Sequence, residues 1–339
     1  MKALRVLGLM HSYLVPPDDI TGHDLLEVKW KTEYDVTATL VDMGHEVYKL
    51  GIRDDLGVLR KAVTDWQPQI AFNLMESFDE VGVFDQNVVA YLELLRLPYT
   101  GCNPRGLVLS RDKALSKKLL AYHRIPVPDF FVVRRGHAIR VPKRMGFPLI
   151  VKSLTQEASI GISQASIVES EEKLRERVAF IHTSIETDAI IEQYIEGREL
   201  YVGLLGNDRL QVFPVWEMKF NKMPGDVHRI ATERVKWSRK YQKRHGIMTG
   251  PAALPDGLAP KIQHICKRAY RALDLSGYAR IDLRLDTDNR VFVLEANANP
   301  QIAFGEDSAE SAEHAGLSYE ALLQRILNLG LRWQPTRPG

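Results

Sequence analysis

The chain has 339 residues, 45 of them basic and 43 acidic, and 45% are hydrophobic. That is a globular composition, long enough for two or three domains and a sizeable core. A net charge of +2 gives no general pull toward nucleic acid or anionic membrane, and no apolar run is long enough to span a bilayer.

The start, MKALRVLGLM, carries Arg5 within a short apolar run and reads as a first strand rather than a signal peptide. Cys102 and Cys266 stand far apart, outside metal-type spacing, and read as reduced buried thiols in a cytoplasmic protein. Up to about residue 105, strand-like and helix-like pieces alternate: RVLGLM, a helix ending at Gly44, HEVYKL, LGVLRKAVTDW, QIAFNL and VFDQNVVAYLELLRL. Alternation of this kind implies a parallel sheet. His11 to Glu27 is a long polar loop, of the length usually kept for function. A single helix is expected at about 110–123, followed by strand FPLIVKS, ISQASIV, a helix over EEKLRERVAFIH and strand AIIEQ. Then come YVGLLGN, RLQVFPVWEMK, a basic loop from His228 to His245, the helix APKIQHICKRAYRALD, a hairpin, and a final helix YEALLQRILNLGLRW. The domains expected are 1–106, 107–195 and 196–339.

The hairpin, Ala279 to Pro300, carries the most chemistry. A loop at Thr287 to Arg290 would set Asp282 opposite Glu295, Arg280 opposite Asn297 and Arg284 opposite Val293. Period-two alternation puts these on one face and Ile281, Leu283, Leu285, Phe292 and Leu294 on the other, toward a core. Two facing carboxylates about 5 Å apart at Cβ repel unless a cation lies between them. Hard oxygen ligands suit Mg²⁺ bound together with phosphates, which Arg280 would grip bidentately.

Other segments suit a nucleoside triphosphate. Lys152 leaves a buried strand and Lys113 sits one turn inside a helix that begins near Ser110, each able to meet phosphate as a point charge; solvated lysines are the alternative. Glu192 and Glu199 flank a linker whose backbone, Gln193, Tyr194 and Ile195, could meet a base while the acids meet ribose. The basic loop, with Lys236 and Trp237, is either a lid over phosphate or a solvated loop. No Walker-type loop and no GxGxxG motif is present.

In order, Asp112-Lys113, Ser116-Lys117, Ile125-Pro-Val-Pro128, Phe147-Pro-Leu-Ile-Val-Lys152, Ser159-Ile-Gly161, Ile191-Glu192 to Gly197-Arg-Glu199, Ala279-Arg-Ile-Asp282 and Leu294-Glu-Ala-Asn-Ala-Asn-Pro300 resemble the ATP-grasp fold. Within it the chain is similar to the D-alanine–D-alanine ligase-like branch, from about residue 66 onward. The resemblance implies an α/β fold: an N-terminal Rossmann-like parallel-sheet domain and two α+β subdomains that clasp ATP. It implies that Lys113 and Lys152 contact phosphates, Glu192 with the backbone near Ile195 binds adenine, and Glu199 binds ribose. Asp282, Glu295 and Asn297 would ligate two Mg²⁺, with Mn²⁺ as a substitute, and Arg280 would stabilise an acyl phosphate. Lys236-Trp237 would close over the triphosphate. The implied reaction is an ATP-dependent carbon–nitrogen ligation of a small-molecule or peptide carboxylate to an amine, and a homodimer is a family-level expectation. Neither nucleic acid nor membrane is expected as a partner. Three departures set the substrate apart. The loop LMHSYLVPPDD lacks the branch's glutamate, Ser153 to Ala158 replaces its phosphate loop, and Gln301 and Glu306 stand where it has Gly and Ser. With Asp307, Glu306 suits a cation better than a carboxylate, so the expectation is a product other than D-alanyl-D-alanine. The alternatives are an ATP-grasp phosphotransferase or carboxylase, and a D-alanine–D-alanine ligase proper.

Overall fold

The computed structural model describes residues 3–225 and 227–335. Strand β1 (Arg5–His11) is buried from Val6 onward, as suits a central strand covered on both faces. It pairs in parallel with β2 (Glu46–Ile52) and β3 (Ile70–Asn73), in the order β2-β1-β3. Helices α1 (Lys31–Asp42), α2 (Gly57–Trp66) and α3 (Asp85–Leu94) alternate with the strands. This is the parallel sheet that the alternation implied.

Where one helix was expected at 110–123 there are two, α4 (Pro104–Arg111) and α5 (Lys113–Tyr122). Asp112 divides them. Its backbone is extended and its carboxylate accepts from Ala114 N and Leu115 N, both at 2.9 Å, so it caps α5. The antiparallel sheet that follows runs β4-β7-β5-β6, with β4 (Phe130–Val133), β5 (Leu149–Ser153), β6 (Ile167–Val168) and β7 (Ala189–Gln193). Helix α6 (Glu171–Phe180) packs on it through Leu174 and Val178.

The third sheet holds β8 (Arg198–Leu205), β9 (Gln211–Val212), β10 (Trp216–Phe220), β11 (Ile247–Pro251), β12 (Tyr278–Leu285) and β13 (Val291–Ala298). Its order is β11-β10-β8-β12-β13, with β9 on β8. The basic stretch is not a loop. It forms α7 (Glu233–Trp237) and α8 (Arg239–His245), capped by Thr232 and Ser238. Helix α9 (Leu258–Ala272) covers one face, its Ile262, Cys266 and Tyr270 sharing a cluster with Val202, Ile281 and Leu283. Both cysteines are free and buried.

The β12–β13 hairpin keeps the expected register from Ala279↔Ala298 to Asp282↔Glu295, then shifts by one residue. Arg284 therefore faces Phe292, not Val293, and the loop is five residues, closed by Asp286 N donating to Arg290 O at 3.0 Å. A bulge leaves Leu294 unpaired and reverses the faces beyond it. Val291 and Val293 enter the core, whereas Phe292 and Leu294, expected there, do not.

Helix α10 (Asp307–His314) follows the hairpin, and α11 (Tyr319–Arg332) closes the fold. By sequence order α11 belongs with the third unit, yet its Leu322, Leu323, Ile326 and Leu327 share a cluster with Val6, Ile70 and Phe72 of the first sheet. Among the described residues no helix is long and apolar enough to cross a membrane.

Candidate active site

Between the second and third sheets lies an open cleft of about 610 Å³, counting the solvent at its mouth. Ile150, Ile230 and Leu294 give it apolar walls. The bulge is what turns Leu294 into it. Lys152, Glu192, Gln193, Tyr194, Ile195, Glu199, Lys236, Asp282 and Glu295 reach the same cavity, as the sequence led us to expect. Lys113, Trp237, Arg280 and Asn297 lie outside its lining.

Glu192 is fully buried at the end of β7. Its carboxylate lies 3.1 Å from Lys152 Nζ and 3.4 Å from Lys117 Nζ. Lys117 is fully buried too, and donates to the Leu294 carbonyl at the bulge. Burial raises the Glu192 carboxyl, but Lys117 and Lys152 outweigh it and hold the group below its usual range. Burial draws the Lys117 ammonium down against the pull of Glu192. Lys117 was seen only as part of a motif and not as a site residue. The available signal was its spacing: one turn beyond Lys113 on a capped helix, it must face the same way.

Lys113 is buried in the first turn of α5, its Nζ 2.6 Å from Gln156 O and 3.6 Å from Glu295. It thus ties the 153–158 loop to β13. Burial pushes the Glu295 carboxyl up, yet Lys113, Lys236, Lys152 and Lys117 together hold it at about 2. Asp282, opposite it, is pushed up by burial against the pull of Arg280. Arg280 does not stand free for phosphate. Its Nε and Nη2 take the two Asp282 oxygens at 2.7 and 3.0 Å, because residues two apart on a strand share a face. Asn297, opposite Arg280, has Nδ2 buried with no partner among the described residues. Asp282, Glu295 and Asn297 offer only oxygen-bearing groups on facing strands, a set that fits a hard divalent cation. Among the described residues no cluster of three or more His, Cys, Asp or Glu groups forms a metal site, so any such site depends on the asparagine.

The base linker is narrower than expected. Gln193 N already donates to Asp129 O (2.8 Å) and Tyr194 N to Pro148 O (3.2 Å). Of the three N–H groups, Ile195's has no acceptor among the described residues. Gly197 turns the chain at φ +149°, where a Cβ would collide with the Leu285 carbonyl. Glu199 accepts from Tyr201 Oη (3.0 Å) and Ala231 N (3.2 Å), with Arg284 at 3.5 Å. Arg284, not foreseen, is buried and donates to Gly197 O (3.2 Å) and Arg229 O (2.8 Å), pinning the 194–197 linker to the basic segment.

The basic segment is docked on the middle unit. Trp237 Nε1 donates to Ala158 O at 3.0 Å, Glu233 N to Ile162 O at 3.1 Å, and Gln164 exchanges two bonds with His228. Trp237 is otherwise 58% exposed. The three residues singled out for substrate separate. Gln301 lines a second cavity. Glu306 precedes α10, facing Lys31 and Arg239 as well as Asp307, and Asp307 adds to the field on Arg280. Neither acid lines the second cavity.

Residues 119–328 match the model of the D-ala D-ala ligase C-terminus family. A D-alanine–D-alanine ligase of Desulfotalea psychrophila is 31% identical over 258 residues, 75% of this chain and 77% of that protein. One from Bordetella petrii is 34% identical over 247 residues, 72% of this chain and 71% of that protein. An uncharacterized protein of Sinorhizobium fredii is 33% identical over 305 residues, 88% of this chain and 86% of its own length. The crystal structure of the Bacillus anthracis D-alanine–D-alanine ligase complexed with ATP has TM-score 0.75 at 22% identity, covering 97% of this chain and 98% of that one, a likeness of fold. The relatives give no support to the expectation that D-alanyl-D-alanine is not the product. The matched family model and the identity over most of the chain together place this protein in the D-alanine–D-alanine ligase family, among the ATP-grasp, ATP-dependent carbon–nitrogen ligases.

Proposed function

We propose that this chain uses ATP to activate the carboxylate of an amino acid or peptide as an acyl phosphate and then joins it to an amine. The observation that carries the reading is Glu295: facing Asp282 in register, it is held at about 2 by four lysines, of which Lys152 and Lys236 line the cavity with it. A carboxylate pair inside a ring of ammonium groups suits a ligand that is itself polyanionic and metal-bound. Lys152 and Lys113 would neutralise phosphate charge, with Lys117 and Glu192 holding Lys152 in place. Ile150, Ile230 and Leu294 would sandwich the base, Ile195 N–H would meet its edge, and Glu199 would meet ribose. Asp282, Glu295 and Asn297 would hold two Mg²⁺, or Mn²⁺ in substitution, which supply charge neutralisation at the transferred phosphoryl group.

In the first step a carboxylate oxygen bonds to the γ-phosphorus as the bond to the ADP oxygen breaks. In the second, the amine nitrogen attacks the acyl carbon, inorganic phosphate leaves, and the nitrogen loses its proton. Arg280, with Nε and Nη2 taken by Asp282 and its guanidinium over the Tyr201 ring at 4.9 Å, would have only Nη1 to offer the acyl phosphate. Trp237 and Lys236 would keep water from it.

A second reading, D-alanine at both positions, is favoured by the names of the relatives. A condensation screen separates the readings. The protein is given Mg²⁺-ATP with D-alanine alone and with pairs of amino acids and amines, and products are read by mass spectrometry. A mass equal to two D-alanines less one water supports the second reading. Any other condensed pair supports the first. ADP release with no condensed product from any pair sinks the ligase reading and favours a phosphotransferase.

A further inference from the structure

Helix α4 ends on Arg111, which lies outside the lining of the ATP cleft and serves two other elements at once. Its Nη2 holds the carboxylate of Asp85, the first residue of α3, and its Nη1 holds that of Glu157 at 3.0 Å. Gly82 leaves room for the guanidinium, since a Cβ there would stand 3.3 Å from Nη1. Asp85 is 4% exposed, whereas the Glu157 side chain is 31% exposed on the loop that follows β5. The Asp85 carboxyl stands at about 6, raised by burial, drawn down by Arg111 and raised again by Glu157, as befits two acids that share one cation. Among the described residues neither acid has another ion-pair partner.

Directly after Glu157 the backbone is strained. Ala158 and Ser159, neither of them glycine, lie in the left-handed region at φ +55° and +60°. Conformations of this kind persist where the surrounding contacts over-determine them. Three side chains hold this loop: Lys113 through Gln156 O at 2.6 Å, Trp237 through Ala158 O at 3.0 Å, and Arg111 through Glu157. Lys113 and Trp237 reach the loop from the middle and third units. Arg111 is the one of the three that also grips α3, in the first unit. The loop in turn supplies Ser159 to the wall of the cleft.

We infer that Arg111 is a positioning residue for the nucleotide: its fork clamps the 153–159 loop to α3, so that the first unit sets the shape of the cleft wall carrying Ser159. Arg111 does not touch the cleft and acts through Glu157. The arrangement needs a planar fork, because two carboxylates from separate elements must be held in one fixed geometry, and a lysine is a single point charge. The inference rests on the ATP reading above for what the cleft holds.

The test compares the full parent chain with Arg111→Lys and Glu157→Gln. Glu157→Gln leaves the pair between Arg111 and Asp85 in place, and it is read alone if Arg111→Lys fails to fold by circular dichroism. Hydrogen exchange without nucleotide follows the loop through Ile160 N, which donates to Glu157 O at 3.0 Å, and Ile162 N, which donates to Ser159 O at 2.9 Å. Titration with Mg²⁺ and the non-hydrolysable ATP analogue AMP-PNP then gives the affinity of the cleft. In Glu157→Gln these two amides are expected to exchange at least about tenfold faster, with the α3 amides and the urea midpoint unchanged. AMP-PNP is expected to bind about tenfold more weakly, the equivalent of one charge-assisted hydrogen bond. Loop exchange equal to the parent's overturns the inference. So does a faster loop with unchanged AMP-PNP affinity, or faster exchange throughout the chain, since either leaves Arg111 a structural tie. In those cases the parent still binds AMP-PNP, and the ATP reading stands. A parent that binds no AMP-PNP sinks the ATP reading and the positioning role together.

Discussion

Lys117→Met is the most informative single change. It keeps the length of the stem in a fully buried position and removes the ammonium. Two interactions go: the ion pair with Glu192 at 3.4 Å and the hydrogen bond to the Leu294 carbonyl. Breaking a buried pair by removing one partner costs about 3–5 kcal/mol, because the other charge is left in a poor environment. Here Glu192 keeps Lys152 at 3.1 Å, so the low end applies, about 3 kcal/mol. The desolvation relieved by losing one ammonium is already within that measured range. Urea unfolding checks the figure through the midpoint at unchanged slope. A companion, Lys117→Met with Glu192→Met, empties the site of both buried charges and is expected to recover at least half of the loss, although it leaves Lys152 without that partner. A single variant within about 1 kcal/mol of the parent, or a pair no better than the single, would refute the ion-cluster argument.

Asp282→Asn should lower the unfolding midpoint, since Arg280 loses its buried bidentate partner, and in the protein that remains folded cut kcat at least about 100-fold; full activity would exclude Asp282 as a metal ligand. Trp237→Phe keeps the ring and deletes the bond to Ala158 O, a loss of about 1 kcal/mol that should appear as roughly fivefold weaker retention of ATP in a dissociation-rate measurement. Glu33 is raised to about 8 by burial and by Glu76, so the folded chain binds its proton more tightly than the unfolded one. Stability should therefore fall as pH rises from the unfolded value near 4.5 to about 8, by at most about 1.4 kcal/mol per pH unit. Glu33→Gln should flatten that slope in unfolding curves taken across this window, and an unchanged slope would mean that Glu33 does not carry it.

The residues that could be placed from sequence were those governed by local period. Asp282 opposite Glu295 and Arg280 opposite Asn297 followed from alternation and turn length, and the structure keeps both pairs. The bulge at Leu294 was not legible, because one extra residue leaves the alternation on each side intact and only shifts their phase. Its effect is local but chemical: it moves Leu294 from core to cavity wall. Short β4 hid behind two prolines, and Asp112 hid a helix boundary that a polar residue inside a helical pattern does not announce. Helices α7 and α8 are five and seven residues long and depend on docking against the middle unit, beyond the reach of periodicity. Glu33 was invisible for another reason: nothing in its neighbours marks its carboxylate as buried.

Helix α11 carries a consequence for how the chain is made. The first sheet is read early by the ribosome, yet the surface formed by Val6, Ile70 and Phe72 is covered by Leu322, Leu323, Ile326 and Leu327, which are translated long afterward. Until α11 emerges, the nascent sheet shows water an apolar face that chaperones or neighbouring chains can bind. The two distant segments must then meet across the largest loop in the fold, a slow closure by contact-order reasoning. Completion of the first sheet's core is thus deferred until the second and third sheets have been synthesised.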